Sequence, residues 1–408
     1  MASSPSIPSS LPILDLSQAD DPAQRPALLA QLHDALFNIG FLYIRNHGVD
    51  KSTITHLTEK LPSLFDLPTD VKAGLSKLNS PHFLGYSGFA EETTLGKKDL
   101  REQFDFATEL PVVHHDPKSP DAQVNGKNTH SPRDESRDLS RDFSNLYWRL
   151  RGPNQWPPED HLPNFRQALT AYHDAVQALS YRFVHLVEEA FGIPTGTFDH
   201  FFRGPDHRAP GTVATAANGT NINASYLPPQ HRIKLLKYPP TPAAEAGQGV
   251  GAHKDSSGWL TFLLQIGHEA GLEVLSAADT WIPAPPIDGT FVVNFGNAFE
   301  AATEGAVRAT VHCVKAPAST SPPRYSIPFF QGLPLDMTVS QIRSYIPESV
   351  RRLRRESDAA AAGGNVVSTF LDPRWDALGE SQLRKWIRSH EDVGRKWYGD
   401  EVVSYYLS

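Results

Sequence analysis

Between Arg232 and Gln331 the sequence breaks into short apolar runs, each closed by Gly or Pro. Runs of four to eight residues with that punctuation read as strands, and many short strands in succession require two facing sheets, a jelly roll. Polar residues of unusual chemistry are set into this stretch. His253-Lys254-Asp255 follows Gly247, Gly249 and Gly251 and precedes the apolar strand Trp259 to Gln265. On an extended backbone residues i and i+2 leave the same face, so the His253 and Asp255 side chains point together. His312 lies in Ala309-Thr310-Val311-His312-Cys313-Val314, a β-branched run that reads as a buried strand. Arg324 and Ser326 share one face of a further strand by the same period of two.

Two histidines and one carboxylate are the ligand set of non-haem Fe(II), which they hold on one triangular face. The opposite face stays open for oxygen and a bidentate 2-oxo acid. A guanidinium binds a carboxylate through two parallel charge-assisted hydrogen bonds, and a nearby hydroxyl adds a third. Arg324 and Ser326 therefore read as a fork for an acidic co-substrate. The His-x-Asp pattern alone is weak, because the chain has 17 histidines and repeats it at His114-His115-Asp116 and His390-Glu391-Asp392. The first repeat lies between Pro111 and Pro117 and reads as a surface loop. The second lies in a charged segment with no apolar run beside it.

Taken in order, these segments resemble the isopenicillin N synthase-like family of Fe(II)/2-oxoglutarate-dependent oxygenases over most of the chain. Leu11 to Leu16 and Gly40 to Val49 are similar to its N-terminal signatures, and Gly85-Tyr86 and Arg101-Glu102-Gln103-Phe104-Asp105-Phe106 to its central ones. Gly152 to Pro157 is similar to a run of fungal and bacterial members, which points to specialised metabolism. Gly271 to Val274, Trp281 to Pro283 and Val292 to Gly296 follow in the family order. The resemblance implies that His253, Asp255 and His312 ligate Fe(2+), and that Arg324 and Ser326 hold the distal carboxylate of 2-oxoglutarate. It places Tyr238 near that co-substrate. Many plant members carry Asn two residues before this tyrosine; here Leu236 stands there, leaving Lys234 as the substitute contact to the C1 carboxylate. The implied activity consumes O2 and 2-oxoglutarate, gives succinate and CO2, and hydroxylates, desaturates or rearranges a small organic molecule. Phe104, Phe106 and Phe295 are candidates for pocket walls or for plain core. Two other readings fit the same residues: an iron oxidase of this fold that does without 2-oxoglutarate, and a non-catalytic jelly-roll binding protein.

The expected class is mainly β with helices (α+β): a double-stranded β-helix (jelly-roll) core, a helical N-terminal region and a C-terminal helical extension. The boundaries fall at 1–160, 161–335 and 336–408. Pro26 to Asn38 predicts a helix with Leu28, Leu29, Leu32 and Leu36 on one side. Phe165 to Phe191 predicts a long helix, with Phe165, Leu169, Tyr172, Val176, Leu179, Phe183, Leu186 and Ala190 as its apolar stripe and Gly192 ending it. Polar sequence from 113 to 140 predicts an exposed loop, Gly204 to Arg208 a turn, Ala359 to Gly364 a linker, and Ser381 to Trp397 a helix.

A net charge of −8 gives no electrostatic footprint for nucleic acid. The basic run Arg351 to Arg355 reads as a solvated helix face. No apolar stretch approaches the roughly 18–20 residues that span a bilayer, and Met1 to Pro5 has neither basic n-region nor apolar core, so no secretory signal is expected. The one cysteine, Cys313, cannot form an intramolecular disulfide. That suits a reducing, cytoplasmic compartment; as a strand neighbour of His312 it should face away from the metal. The expected partner is a small-molecule substrate, with no obligate protein partner.

Overall fold

A 26-residue helix, Phe165–Ala190, backs an eight-stranded sheet, and a four-stranded sheet closes over the other face. The computed structural model describes residues 10–94, 96–116, 141–202, 227–242, 247–255, 258–357 and 373–408. Most of the loop predicted over 113–140 lies outside these residues, as do the predicted turn at 204–208 and the linker at 359–364.

In chain order the strands are β1 Ile13–Asp15, β2 Phe41–Arg45, β3 Gly85–Ser87, β4 Thr93–Thr94, β5 Lys97–Lys98, β6 Glu102–Ala107 and β7 Arg232–Tyr238. They continue as β8 Gln248–His253, β9 Leu260–Ile266, β10 Leu272–Leu275, β11 Trp281–Pro283, β12 Thr290–Phe295, β13 His312–Lys315 and β14 Arg324–Gln331. The large sheet runs β1-β2-β12-β9-β14-β7-β6-β3, and the small one β11-β10-β13-β8. The jelly-roll expectation holds, with an addition: β1, β2, β3 and β6 from the N-terminal part extend the large sheet on both sides.

Strand periodicity divides the apolar residues between two cores. Leu42, Ile44, Ile233, Leu235, Phe262, Phe291, Val293, Phe295, Ile327 and Phe329 face the long helix side. Phe41, Tyr43, Leu236, Tyr238, Val292, Val250, Val274 and Val314 fill the space between the sheets. Arg324 and Ser326 alternate with residues of the helix-side core, so the same period turns them toward the interior between the sheets. Phe104, Phe106 and Phe295 all belong to the helix-side core and are absent from the lining of the large cavity, so among the described residues they act as packing.

The long helix forms over the predicted residues because its stripe is apolar at steps of three and four. Phe165, Leu169, Tyr172, Val176, Leu179, Phe183 and Leu186 are buried, and Gly192 at φ +69° follows its end. The N-terminal helix spans Arg25–Asn38 with Leu28, Leu32 and Leu36 buried. The single C-terminal helix expected from Ser381 to Trp397 is two helices, Leu378–Ser389 and Glu391–Tyr398, followed by Asp400–Leu407. His390, at φ −146° and ψ 72°, breaks the run, and this extended backbone lets both segments pack on one core. That core contains Phe83, Trp148, Leu383, Trp386, Ile387 and Tyr398. In the helix Glu348–Ser357, Arg352 pairs with Glu348 on the exposed side, whereas Arg351 is half-buried against Glu304, so of these two arginines only Arg352 fits the expected solvated face. No helix among the described residues is long and apolar enough to cross a membrane.

Candidate active site

The last residue of β8, His253, and the first of β13, His312, are cross-strand partners, and Asp255 follows β8 by two residues. Nε2 of His253 lies 3.8 Å and Nε2 of His312 3.7 Å from Oδ1 of Asp255. One donor atom from each residue lies within 4.8 Å of the others, and among the described residues this is the one such grouping of histidine, cysteine and carboxylate.

The remaining polar atoms of the three residues are already used. Nδ1 of His253 is 2.7 Å from the Gly251 carbonyl, and Nδ1 of His312 is 3.0 Å from that of Thr310. A carbonyl only accepts, so each Nδ1 carries the proton and each Nε2 presents its lone pair. Oδ2 of Asp255 accepts from the Thr261 hydroxyl and the Asn294 amide, both at 2.7 Å, leaving Oδ1 to the cluster. Thr261 and Asn294 are themselves register partners on β9 and β12. Outer hydrogen bonds of this kind fix the tautomer and orientation of metal ligands. Burial, and then the neighbouring His312, push His253 down to about 3, so its imidazole is neutral. Burial would raise Asp255, but His312, His253 and the two donors outweigh it and hold the carboxyl below its ordinary value.

Glycine is required where β12 ends against this loop. A Cβ on Gly296 would stand 2.1 Å from the Gly258 carbonyl oxygen and 3.0 Å from that of Asp255. The Asp255 carbonyl in turn accepts the Asn297 N–H at 2.8 Å. The Asn294-Phe295-Gly296 run thus supplies both a donor to the carboxylate and the clearance that carboxylate needs.

Arg324 is 1% exposed and lies opposite Tyr238 in the β14–β7 register, with Ser326 opposite Leu236. Nη2 of Arg324 donates to Gln265 at 2.8 Å, Nη1 reaches the Ser326 hydroxyl at 3.4 Å, and Nε has no partner among the described residues. The Arg324 guanidinium stands over the Tyr238 ring, with Cζ 5.0 Å from its centroid. A buried guanidinium with an unused N–H beside a hydroxyl fits a carboxylate, and two imidazoles with one carboxylate fit Fe(II).

Residues 11–159 match the family model for the N-terminal region of non-haem dioxygenases in morphine synthesis, and residues 224–332 match the 2OG-Fe(II) oxygenase superfamily. The chain is 38% identical to the 2-oxoglutarate-dependent dioxygenase frbJ of Dothideomycetidae sp. (strain 11243), covering 95% of this chain and 92% of that one. It is 29% identical to a 2-oxoglutarate-dependent dioxygenase of Gibberella zeae, over 96% and 92% of the two chains. The chain belongs to the Fe(II)/2-oxoglutarate-dependent dioxygenases. A Neurospora crassa protein solved in complex with alpha-KG shares the fold, with a TM-score of 0.60, 21% identity, and coverage of 84% of this chain and 91% of that one. The dioxygenase is accordingly an oxidoreductase that uses Fe(2+), 2-oxoglutarate and O2.

A cavity of about 1060 Å³ joins the histidine–aspartate cluster to Arg324 and Ser326, and Tyr238 and Leu236 line it. Lys234 lines it too, but its ammonium is held by Glu92 at 3.4 Å and Asp105 at 3.7 Å, which removes it as a ready substitute for the missing asparagine. Of the two other His-x-Asp pairs, Asp116 is exposed and His114 half-buried. His390, in the charged segment with no apolar run beside it, is nevertheless 7% exposed and lines the same cavity. Its burial comes from contacts with Phe83 and Lys77, some 300 residues earlier in the chain, which local sequence does not record. Arg101 and Glu92, which pair at 2.6 Å in the cavity wall, were likewise not singled out as site residues. The alternation Arg101-x-Gln103-x-Asp105 along β6 was the available signal. Cys313 faces away from the cluster as expected, and burial pushes its thiol up to about 11.

Proposed function

We propose that His253, Asp255 and His312 hold the iron of this dioxygenase, that Arg324, Ser326 and Tyr238 hold 2-oxoglutarate, and that the substrate is a small organic molecule of specialised metabolism. The observation that carries the reading is the disposition of hydrogen bonds around the three residues. Every atom facing away from the cluster has a partner, and every atom facing into it is free to donate an electron pair. When bound, Fe(II) with 2-oxoglutarate and O2 supplies the oxidising power for attack on an unactivated C–H bond.

The protein contributes placement and exclusion of water. The fixed Nδ1–H tautomers spare the site any proton loss on metal binding at the histidines. The Thr261 and Asn294 donors hold the Asp255 carboxylate in one rotamer. The Arg324 guanidinium is desolvated and orients the co-substrate through parallel hydrogen bonds, while Ser326 adds a neutral one. Leu236 offers no polar contact at the position where many plant members carry asparagine, and the cavity cations Lys234 and Arg101 are both engaged, Lys234 with Glu92 and Asp105 and Arg101 with Glu92 and Asp99. The names and fungal sources of frbJ and of the Gibberella zeae relative support specialised metabolism. Succinate released in step with O2 uptake tests the reading. O2 uptake without succinate would favour the oxidase alternative.

A further inference from the structure

The cavity has a second cationic wall that neither the metal cluster nor the Arg324 fork uses, formed where the C-terminal helix Leu378–Ser389 meets β7. Its centre is the Trp386 indole. Lys385, Arg232, Lys234 and Lys77 stand around that ring, with Nζ or Cζ at 3.8, 4.5, 5.4 and 5.6 Å from its centroid. Two carboxylates, Glu92 and Asp105, face these four cations, and both are occupied. Asp105 is 2.7 Å from Lys77 and 3.7 Å from Lys234; Glu92 is 2.6 Å from Arg101 and 3.4 Å from Lys234. Arg232 gives its donors to the carbonyls of His82, Phe83 and Leu150. Lys385 has no hydrogen bond or ion pair among the described residues, and its ammonium lies over the face of Trp386.

Beside it, His390 adds an unsatisfied donor. Nε2 of His390 lies 3.0 Å from the Lys77 ammonium and accepts from it, so Nδ1 carries the proton. That N–H is buried without a partner among the described residues, and His390 and Lys385 line the same cavity. Positive charge left uncompensated in a protein interior is costly, as is a buried donor with nothing to donate to. Burial and the neighbouring Lys234 and Arg232 push the Lys385 ammonium down to about 7, although Glu92 and Asp105 oppose them. Glu391 and Asp392 also line the cavity beyond His390, with Glu391 turned to Arg395 at 3.5 Å, and no carboxylate among the described residues forms an ion pair with Lys385.

We infer that Lys385, with His390 beside it, anchors a carboxylate of the primary substrate, so that the molecule oxidised is an organic acid. This deepens the proposed function and rests on it. 2-Oxoglutarate has two carboxylates, one for the metal side and one for Arg324, so an anion at Lys385 comes from a different molecule. There is room for one: the cavity, at about 1060 Å³, is at the upper end of the roughly 300–1,000 Å³ of ordinary ligand pockets. The substrate's acid end would then sit under the C-terminal helices while its remainder extends toward the metal cluster, which sets the carbon presented for oxidation.

The test uses full-length protein loaded with Mn(II) in place of Fe(II), so that ligands bind without turnover. Titration calorimetry, with and without saturating 2-oxoglutarate, compares acetate, hexanoate, 3-phenylpropionate and N-acetylleucine with their primary amides. At least one carboxylate should bind more tightly than its amide, without competing with 2-oxoglutarate. Lys385→Gln should weaken that carboxylate by about 10- to 150-fold, the range of a charge-assisted hydrogen bond, and leave 2-oxoglutarate affinity in place. Lys385→Arg should keep most of the affinity. The inference is overturned if no carboxylate outperforms its amide, if Lys385→Gln binds it as wild type does, or if it competes with 2-oxoglutarate. Absence of 2-oxoglutarate binding to wild type would instead overturn the proposed function, and the Lys385 comparison without co-substrate would still decide the anchor.

Discussion

Asp255 acts through its unused oxygen, and the neighbours that occupy the other one decide how well it does so. Asn294 and Thr261 each donate to Oδ2 at 2.7 Å. Asn294→Ala removes one of these donors without touching a ligand, and should weaken Fe(II) binding about 10- to 100-fold, read by anaerobic titration against a competing chelator. The other His-x-Asp pairs provide the contrast: Asp116→Ala and Asp392→Ala should leave iron content unchanged, and loss of iron from either would relocate the metal. At Arg324 the expected loss is larger on the co-substrate side. Arg324→Ala should raise the apparent KM for 2-oxoglutarate about 10- to 150-fold, equivalent to about 1.5–3 kcal/mol, with iron retained. Arg324→Lys keeps the charge but loses the planar fork, and should recover part of that. Ser326→Ala should cost less. Unchanged kinetics in Arg324→Ala would make the arginine structural.

Elements bring these residues together, and some elements were far more legible in the sequence than others. The long helix could be read because seven buried positions repeat at steps of three and four. His253, Asp255, Arg324 and Ser326 could be read because a period of two places both members of each pair on one face. The recruitment of β1, β2, β3 and β6 into the large sheet could not, since β2 pairs with β12 across some 250 residues with no local trace. The break at His390 was hidden for the same reason: burial against Phe83 and Lys77 outweighs helical continuity there. His231, just before β7, shows how an element junction carries a pH dependence. Its Nδ1 accepts the Gly332 N–H at 3.0 Å and its Nε2 faces the Tyr181 hydroxyl at 2.7 Å, so the folded state holds it neutral. Burial, and then His173, keep it well below the ordinary histidine range. The unfolded chain therefore binds more protons below about pH 6.5, and stability is full above that pH and lost as pH falls through it. Burial puts His390 in the same position. The urea midpoint should drop between pH 7.5 and 5.5, and a pH-independent midpoint would contradict this. Where β12 ends, Gly296→Ala should displace the His-x-Asp loop and lower iron occupancy, because its Cβ meets backbone and not a side chain that can swing away.

At the scale of the whole molecule, the helix-side core runs from Leu14 to Leu378 and joins the N-terminal region, the jelly roll and the start of the C-terminal extension. The last helices add their own apolar cluster against Phe83 and Trp148, so they are built into the cavity wall. Leu383→Ala, at a fully buried position, should cost about 2–5 kcal/mol and shift a single unfolding transition. A separate early transition would show an independently unfolding tail. All of this architecture serves to bring β8 and β13 side by side with Asp255 between their histidines. The direct test is the Fe(II) bound per chain, by anaerobic titration, in wild type and in His312→Ala. One equivalent in wild type and none in His312→Ala, with matching circular dichroism, is the expected result. One equivalent in both would contradict the assignment of the metal site.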